Sequence, residues 1–200
     1  MRSNAARLLR PVLFALSSLA AIAPLGALES TEVVRRTFTL AGAGRALSID
    51  NVFGSVTVRS GTGDRVELVL HQTWRADDAT ELERAKREVT LGVVETPGRL
   101  ELVQDGPFRD DHGRRGRQRN EKQDYEVSWE WQLTVPRDVD LEVGNVNGGG
   151  VEVTGVRGPV AASNVNGDVR VADAGARASA STVNGDVDVD FSAPLAGPAE

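Results

Sequence analysis

Residues 164–171 read NVNGDVRV, and residues 182–189 repeat them as TVNGDVDV; a looser copy, NVNGGGVEV, fills 145–153. Asn166 and Asn184 stand 18 positions apart, and Asn147 and Asn166 stand 19 apart, the extra residue falling in the run Gly148-Gly149-Gly150. From Val151 onward the copies align at 18, pairing Val151 with Val169 and Val187, and Val153 with Val171 and Val189. A short fixed period of this kind is the signature of a solenoid, in which each coil stacks its strands on those of the coil before. Alternation then turns Val151 and Val153 inward and Glu152 outward, while Val160 and Ala162 on the return side match Ala178 and Ala180.

The conserved spacing also assigns a role to the corner residues. Asn147 with Gly148, Asn166 with Gly167 and Asn184 with Gly185 are expected as structural turns. Glycine accepts positive φ there at no steric cost, and stacked asparagines can bond one another across the inter-strand spacing of about 4.8 Å. An earlier segment, SIDNVFGSVTV at 48–58, has the same layout, with Asn51, Phe53 and Gly54 where later copies have Asn145, Asn147 and Gly148. As a true cognate it would stack on the same sheets.

Outward from the repeats, short alternating bursts between Val33 and Leu70 read as strands divided by glycine-rich turns. A helix is expected over 77–89, with Asp77 or Asp78 as N-cap, Leu82, Ala85 and Val89 on one face and a Glu83–Arg87 pair. Residues 105–123 offer little to bury and read as a charged, flexible loop. Tyr125–Pro136 alternates strictly, setting Tyr125, Val127, Trp129, Trp131, Leu133 and Val135 on one face: a core face, with a sugar-stacking platform as the alternative. The expected fold is therefore mainly β: an N-terminal β-rich region with one helix over 28–137, a β-solenoid of about 18-residue coils over 138–191, and a flexible tail over 192–200.

Residues 1–27 are set apart. Arg2, Arg7 and Arg10 precede the apolar run Val12–Leu28, the order of a secretory signal peptide, with cleavage after Ala27 or retention as an uncleaved membrane anchor as the two outcomes. The full chain has 23 Lys and Arg against 29 Asp and Glu, a formal charge of −6; losing those three arginines makes it −9. An acidic export product is a poor nucleic-acid binder. With no cysteine in the chain, disulfides, thiolate chemistry, thiolate-held metals and a lipidated N-terminal cysteine are all excluded.

The order of these pieces, from LSIDNVFGSVTV through the helix and charged loop to WQLTVPRDVDLEVGNVNG and the tandem VNGDV units, resembles the bacterial putative-adhesin family of β-solenoid proteins, related to the GIN-type head domains. The resemblance covers nearly all of the chain after the signal peptide, and its spaced VNG units are the most specific part. It implies a right-handed solenoid body and an envelope or extracellular location, and supplies no active site. The present chain departs from that pattern by stopping soon after its third repeat.

Catalytic chemistry finds little footing. His71 and His112 have no nucleophile placed beside them by any motif, so no cofactor and no catalytic residue are expected. Asp168 and Asp186, beside Asn166 and Asn184, form a calcium candidate set against their role as plain turn residues. Arg114, Arg115, Arg117 and Arg119 are candidates for contact with an anionic polymer. The leading expectation is a non-enzymatic exported scaffold binding an envelope protein or polysaccharide. A carbohydrate-active enzyme, with Glu126, Glu130 and Glu152 as possible acids, and a protein polymerising through its open C-terminal coil are the alternatives.

Overall fold

The computed structural model describes residues 27–109, 124–175 and 177–192. The leader arginines, most of the apolar run and the four loop arginines lie outside them. The expectation of a mainly β chain with one short helix holds, in the form of two mixed sheets, neither of them closed.

Alternating segments build the strands. β1 (Leu28–Thr39), β2 (Ala46–Asp50), β3 (Phe53–Gly61) and β4 (Arg65–Ala76) precede the helix α1 (Ala79–Glu88). β5 (Thr90–Thr96), β6 (Arg99–Asp105) and β7 (Tyr125–Pro136) follow it. The repeats supply β8 (Asp140–Gly144), β9 (Asn147–Thr154), β10 (Val160–Ser163), β11 (Val169–Ala174), β12 (Ala178–Ser181) and β13 (Val187–Phe191). One sheet has seven strands in the order β1-β4-β7-β3-β9-β11-β13, and the other has six in the order β12-β10-β8-β2-β6-β5.

From β8 onward the chain passes alternately between the two sheets, and each visit pairs in parallel with the last. Val151, Val169 and Val187 are register partners in one sheet, and Leu141, Val160 and Ala178 in the other. The early copy joins the same stack: β2 pairs with β8 and β3 with β9, aligning Phe53 with Asn147 and Gly54 with Gly148. β2 and β3 thus sit between β6 and β7 on one side and β8 and β9 on the other, so in both sheets the strands before residue 137 form one block and those after it another, joined through β2–β8 and β3–β9.

Inward residues at matching depth form continuous apolar rows. One runs Val34, Leu70, Trp131, Val56, Val151, Val169, Val187 across all seven strands. The middle five of these are 0–1 % exposed, each worth about 1.5–3 kcal/mol of burial. Trp129 and Trp131 are also sealed, at 0 % and 1 %, so the sugar-stacking alternative for this strand falls.

The helix covers inward surface of the seven-stranded sheet, contacting β1, β4 and β7. Asp78 is its N-cap, accepting from the N–H groups of Thr80 and Glu81 at 2.8 and 2.9 Å. Ala85 and Val89 are buried as expected. The ion pairs centre on Arg84, which reaches Glu88 at 2.8 Å and Glu81 at 3.4 Å, and not on the expected Glu83–Arg87 pair. The start of the expected solvated loop is also packed. Phe108 is buried edge-on against Phe53, centroids 5.2 Å apart, and the Arg109 side chain is 3 % exposed.

Candidate functional site

The corners after β8, β10 and β12 carry two columns of polar side chains. The outer column is the expected one. Asn166 Nδ2 donates to Asn147 Oδ1 at 2.7 Å, and Asn184 Nδ2 to Asn166 Oδ1 at 2.8 Å. Each amide offers one donor and one acceptor along the stack, so the ladder extends as long as asparagine recurs at this position.

The glycine that follows each asparagine stands where the preceding corner leaves no room. Gly167 and Gly185 have φ of 137° and 156°, and a Cβ on Gly185 would fall 2.4 Å from the Gly167 carbonyl oxygen. Backbone conformation and close approach both demand glycine there.

The inner column, buried except at the half-buried Thr182, was not foreseen as a unit. Asn51, Asn145, Asn164 and Thr182 each directly follow a strand of the six-stranded sheet, and Gln104, near the end of β6, stands at the same level. Trp131 Nε1 donates to Asn51 Oδ1 at 2.9 Å, and Asn51 Nδ2 to Asn145 Oδ1 at 2.8 Å. Asn145 Nδ2 donates to the carbonyls of Gly54 and Gly149, both at 3.0 Å; Asn164 Nδ2 does so to Gly149 at 3.1 Å and Asp168 at 3.4 Å. Each of these asparagines therefore ties its own corner to the preceding one. Gln104 heads the column, its Oε1 accepting from the N–H groups of Val52 and Phe53. The column's sequence signal is an inward position of the alternation filled by a polar residue: Leu100, Leu102, Gln104; Leu47, Ile49, Asn51; Leu141, Val143, Asn145.

Asp168, one of the two calcium candidates, accepts the Asp186 backbone N–H at Oδ1, 2.9 Å away. The amides of Asn166 and Asn184 are engaged with each other. The Asp168 Oδ1 and Asn166 Oδ1 atoms thus serve the corner itself, and among the described residues no group of three or more His, Asp or Glu side chains is arranged to hold a metal.

The remaining candidates do not converge. His71 lies on β4 opposite Glu130, and Glu126 opposite Arg75, while Glu152 lies on β9 beside Arg170. All three glutamates sit on the open outer face of the seven-stranded sheet. A shallow cleft lined by Thr39, Ala41, Glu95, Thr96 and Pro97 offers one ionisable side chain. His112 and the cluster Arg114, Arg115, Arg117 and Arg119 lie outside the described residues. Their neighbour Arg109 is a buried anchor, its guanidinium donating to the Asp50 carboxylate at 2.7 Å and to the Gln104 and Asp50 carbonyls.

Under the helix, Tyr125 donates to Glu88 at 2.8 Å. The hydrogen bond from Arg84 holds the Glu88 carboxyl below its usual range, against some burial. Burial, followed by the Glu88 contact, raises the Tyr125 hydroxyl. This trio fastens α1 to β7. Among the described residues no helix is long and apolar enough to cross a membrane.

Neither a protein-family model nor a curated protein matches the sequence. Among solved structures, a putative cell adhesion protein from Clostridium sporogenes aligns at 9 % identity and a TM-score of 0.33, over 80 % of this chain and 99 % of the other. A putative adhesin from Bacteroides fragilis aligns at 10 % identity and a TM-score of 0.24, over 80 % and 96 %. Overlap that partial carries nothing about what this chain binds.

Proposed function

We propose that the chain is a non-enzymatic, exported envelope or secreted protein whose β-solenoid body presents a binding surface in an adhesin-like or assembly role. The observation behind this reading is the parallel, in-register stacking of the repeat strands, with corner side chains engaged in holding neighbouring corners together. A body of that kind is rigid and offers long outer faces, which suits display more than turnover. Export is supported by the basic-then-apolar order of residues 1–27, with β1 starting directly after Ala27. The envelope component to which it binds is a protein or a polysaccharide, and the loop arginines are the proposed contact for an anionic polymer.

Cell fractionation followed by affinity capture on the tagged chain tests the reading. Recovery with the envelope or the medium, together with an envelope protein or glycan lost on replacing the four loop arginines by Ser, is the expected result. A cytoplasmic chain, or turnover of an envelope polysaccharide that Glu130→Gln or Glu152→Gln abolishes, would replace it.

A further inference from the structure

The seven-stranded sheet ends in two strands whose outer edges have no partner among the described residues, β1 and β13. They lie at opposite ends of the molecule yet run the same way. β1 is antiparallel to β4 and β4 to β7, and β7, β3, β9, β11 and β13 are mutually parallel. A second copy set beyond β13 in the same orientation would therefore bring β1 alongside it as one more parallel strand.

The cross-strand rows say what such a junction would contain. The outward row through β13 reads Arg35, Val69, Gln132, Thr57, Glu152, Arg170, Asp188. Its last three members alternate in sign, and Arg170 approaches Asp188 at 3.7 Å. The member at the other end, exposed on the free edge of β1, is Arg35. A copy stacked in register continues the alternation by placing Arg35 against Asp188. One row inward, Val34 meets Val187, which at 46 % exposed is among the most open large apolar side chains of the described residues.

We propose that the chain associates with itself head to tail, the β1 edge of one copy adding in register to the β13 edge of the next. Edge strands present unsatisfied N–H and C=O groups that pair readily unless blocked, and a heterologous contact of this kind propagates as an open series. The symmetric alternative, β13 against β13 in antiparallel fashion about Val189, sets Asp188 opposite Asp190 and is disfavoured by like charge. The inference does not depend on what envelope component the body binds.

Sedimentation velocity of the purified full chain across a wide concentration range tests it. The wild-type chain should form species that grow with concentration beyond a dimer. Arg35→Glu and Asp188→Arg should each weaken association by about tenfold or more, with the circular dichroism and melting point of the wild type retained. The two single variants mixed, and the double variant in one chain, should associate again. A chain monomeric throughout overturns the proposal. So does association lost with Asp188→Arg alone, which marks a β13–β13 contact, or association indifferent to both variants, which marks the apolar N-terminal run.

Discussion

Asn184 donates from its side-chain amide to the amide oxygen of Asn166, 2.8 Å away in the preceding repeat. Four positions in the chain, 164 and 182 in the inner column and 166 and 184 in the outer one, thus hold the same pair of corners, but at different depths. Asn164 is buried at 3 % exposed, whereas the Asn166–Asn184 bond is open to solvent.

Depth decides the first outcome. Asn145→Ala or Asn51→Ala removes a fully buried amide and strands the Asn51 side-chain N–H or the Trp131 indole N–H, a loss of about 2–4 kcal/mol. Asn184→Ala, where water replaces the partner, should cost under about 1 kcal/mol. Urea titration of the variants measures both, and equal midpoints for Asn145→Ala and Asn184→Ala would contradict the inner column.

At the glycines the preceding corner sets the limit. Gly167→Val should lower the melting point severely, through both forbidden φ and contact with the Gly149 carbonyl. Gly185→Val should loosen the last repeat first, seen as early loss of amide protection across β12 and β13. An unchanged melt for Gly167→Val would rule out the corner described.

The two turn aspartates should separate. Asp168 holds the Asp186 N–H, and Asp186 has no matching acceptor role in the described corner, so Asp168→Ala should cost about 0.5–1.5 kcal/mol and Asp186→Ala less. Calcium should not shift the melting point of either protein. A calcium-dependent rise lost in both variants would restore the metal reading.

Acid should release the helix. The Glu88 carboxyl is held below its ordinary value of 4.5, first by the hydrogen bond from Arg84. A depressed carboxylate stabilises fully above the unfolded value, and that contribution fades as pH falls through the lower folded one. The melting point should therefore hold steady from neutral pH down to about 5 and then decline, with a shallower decline in Glu88→Gln. An equally steep acid limb in that variant would assign the effect to other carboxylates.

The loop anchor gives a fifth outcome. Phe108→Ala empties the aromatic pair with Phe53 and should cost about 3 kcal/mol. Protease accessibility in the adjoining arginine-rich segment should rise with it. A melting point equal to the wild type would show that the segment is as solvated as its composition suggests.

Much of this was legible in the chain itself, for a physical reason: alternation and period are local properties. Strict period two in Tyr125–Pro136 marked a face that is buried, and the 18-residue spacing marked positions that prove to be register partners. Glycine and asparagine at the corners follow from backbone sterics and amide bonding alone. The Glu83–Arg87 pair failed because spacing permits several pairings on a helix, and Arg84 is the residue that meets Glu88, the carboxylate also held by Tyr125 from β7.

What the sequence by itself determined is thus the strand content, the inward face of each strand, the identity of the corner residues and the stacking order of copies that share a period. Only the tertiary structure decided that β2 and β3 enter the stack between β6 with β7 and β8 with β9, that Gln104 and Asn51 head a buried polar column, and that Phe108 and Arg109 belong to the core rather than the loop. Those outcomes depend on which distant segments meet, and burial of an amide or guanidinium becomes tolerable only once partners from other strands surround it. The local alternation marks an inward polar position such as Gln104 or Asn51, but not the distant partners that receive it.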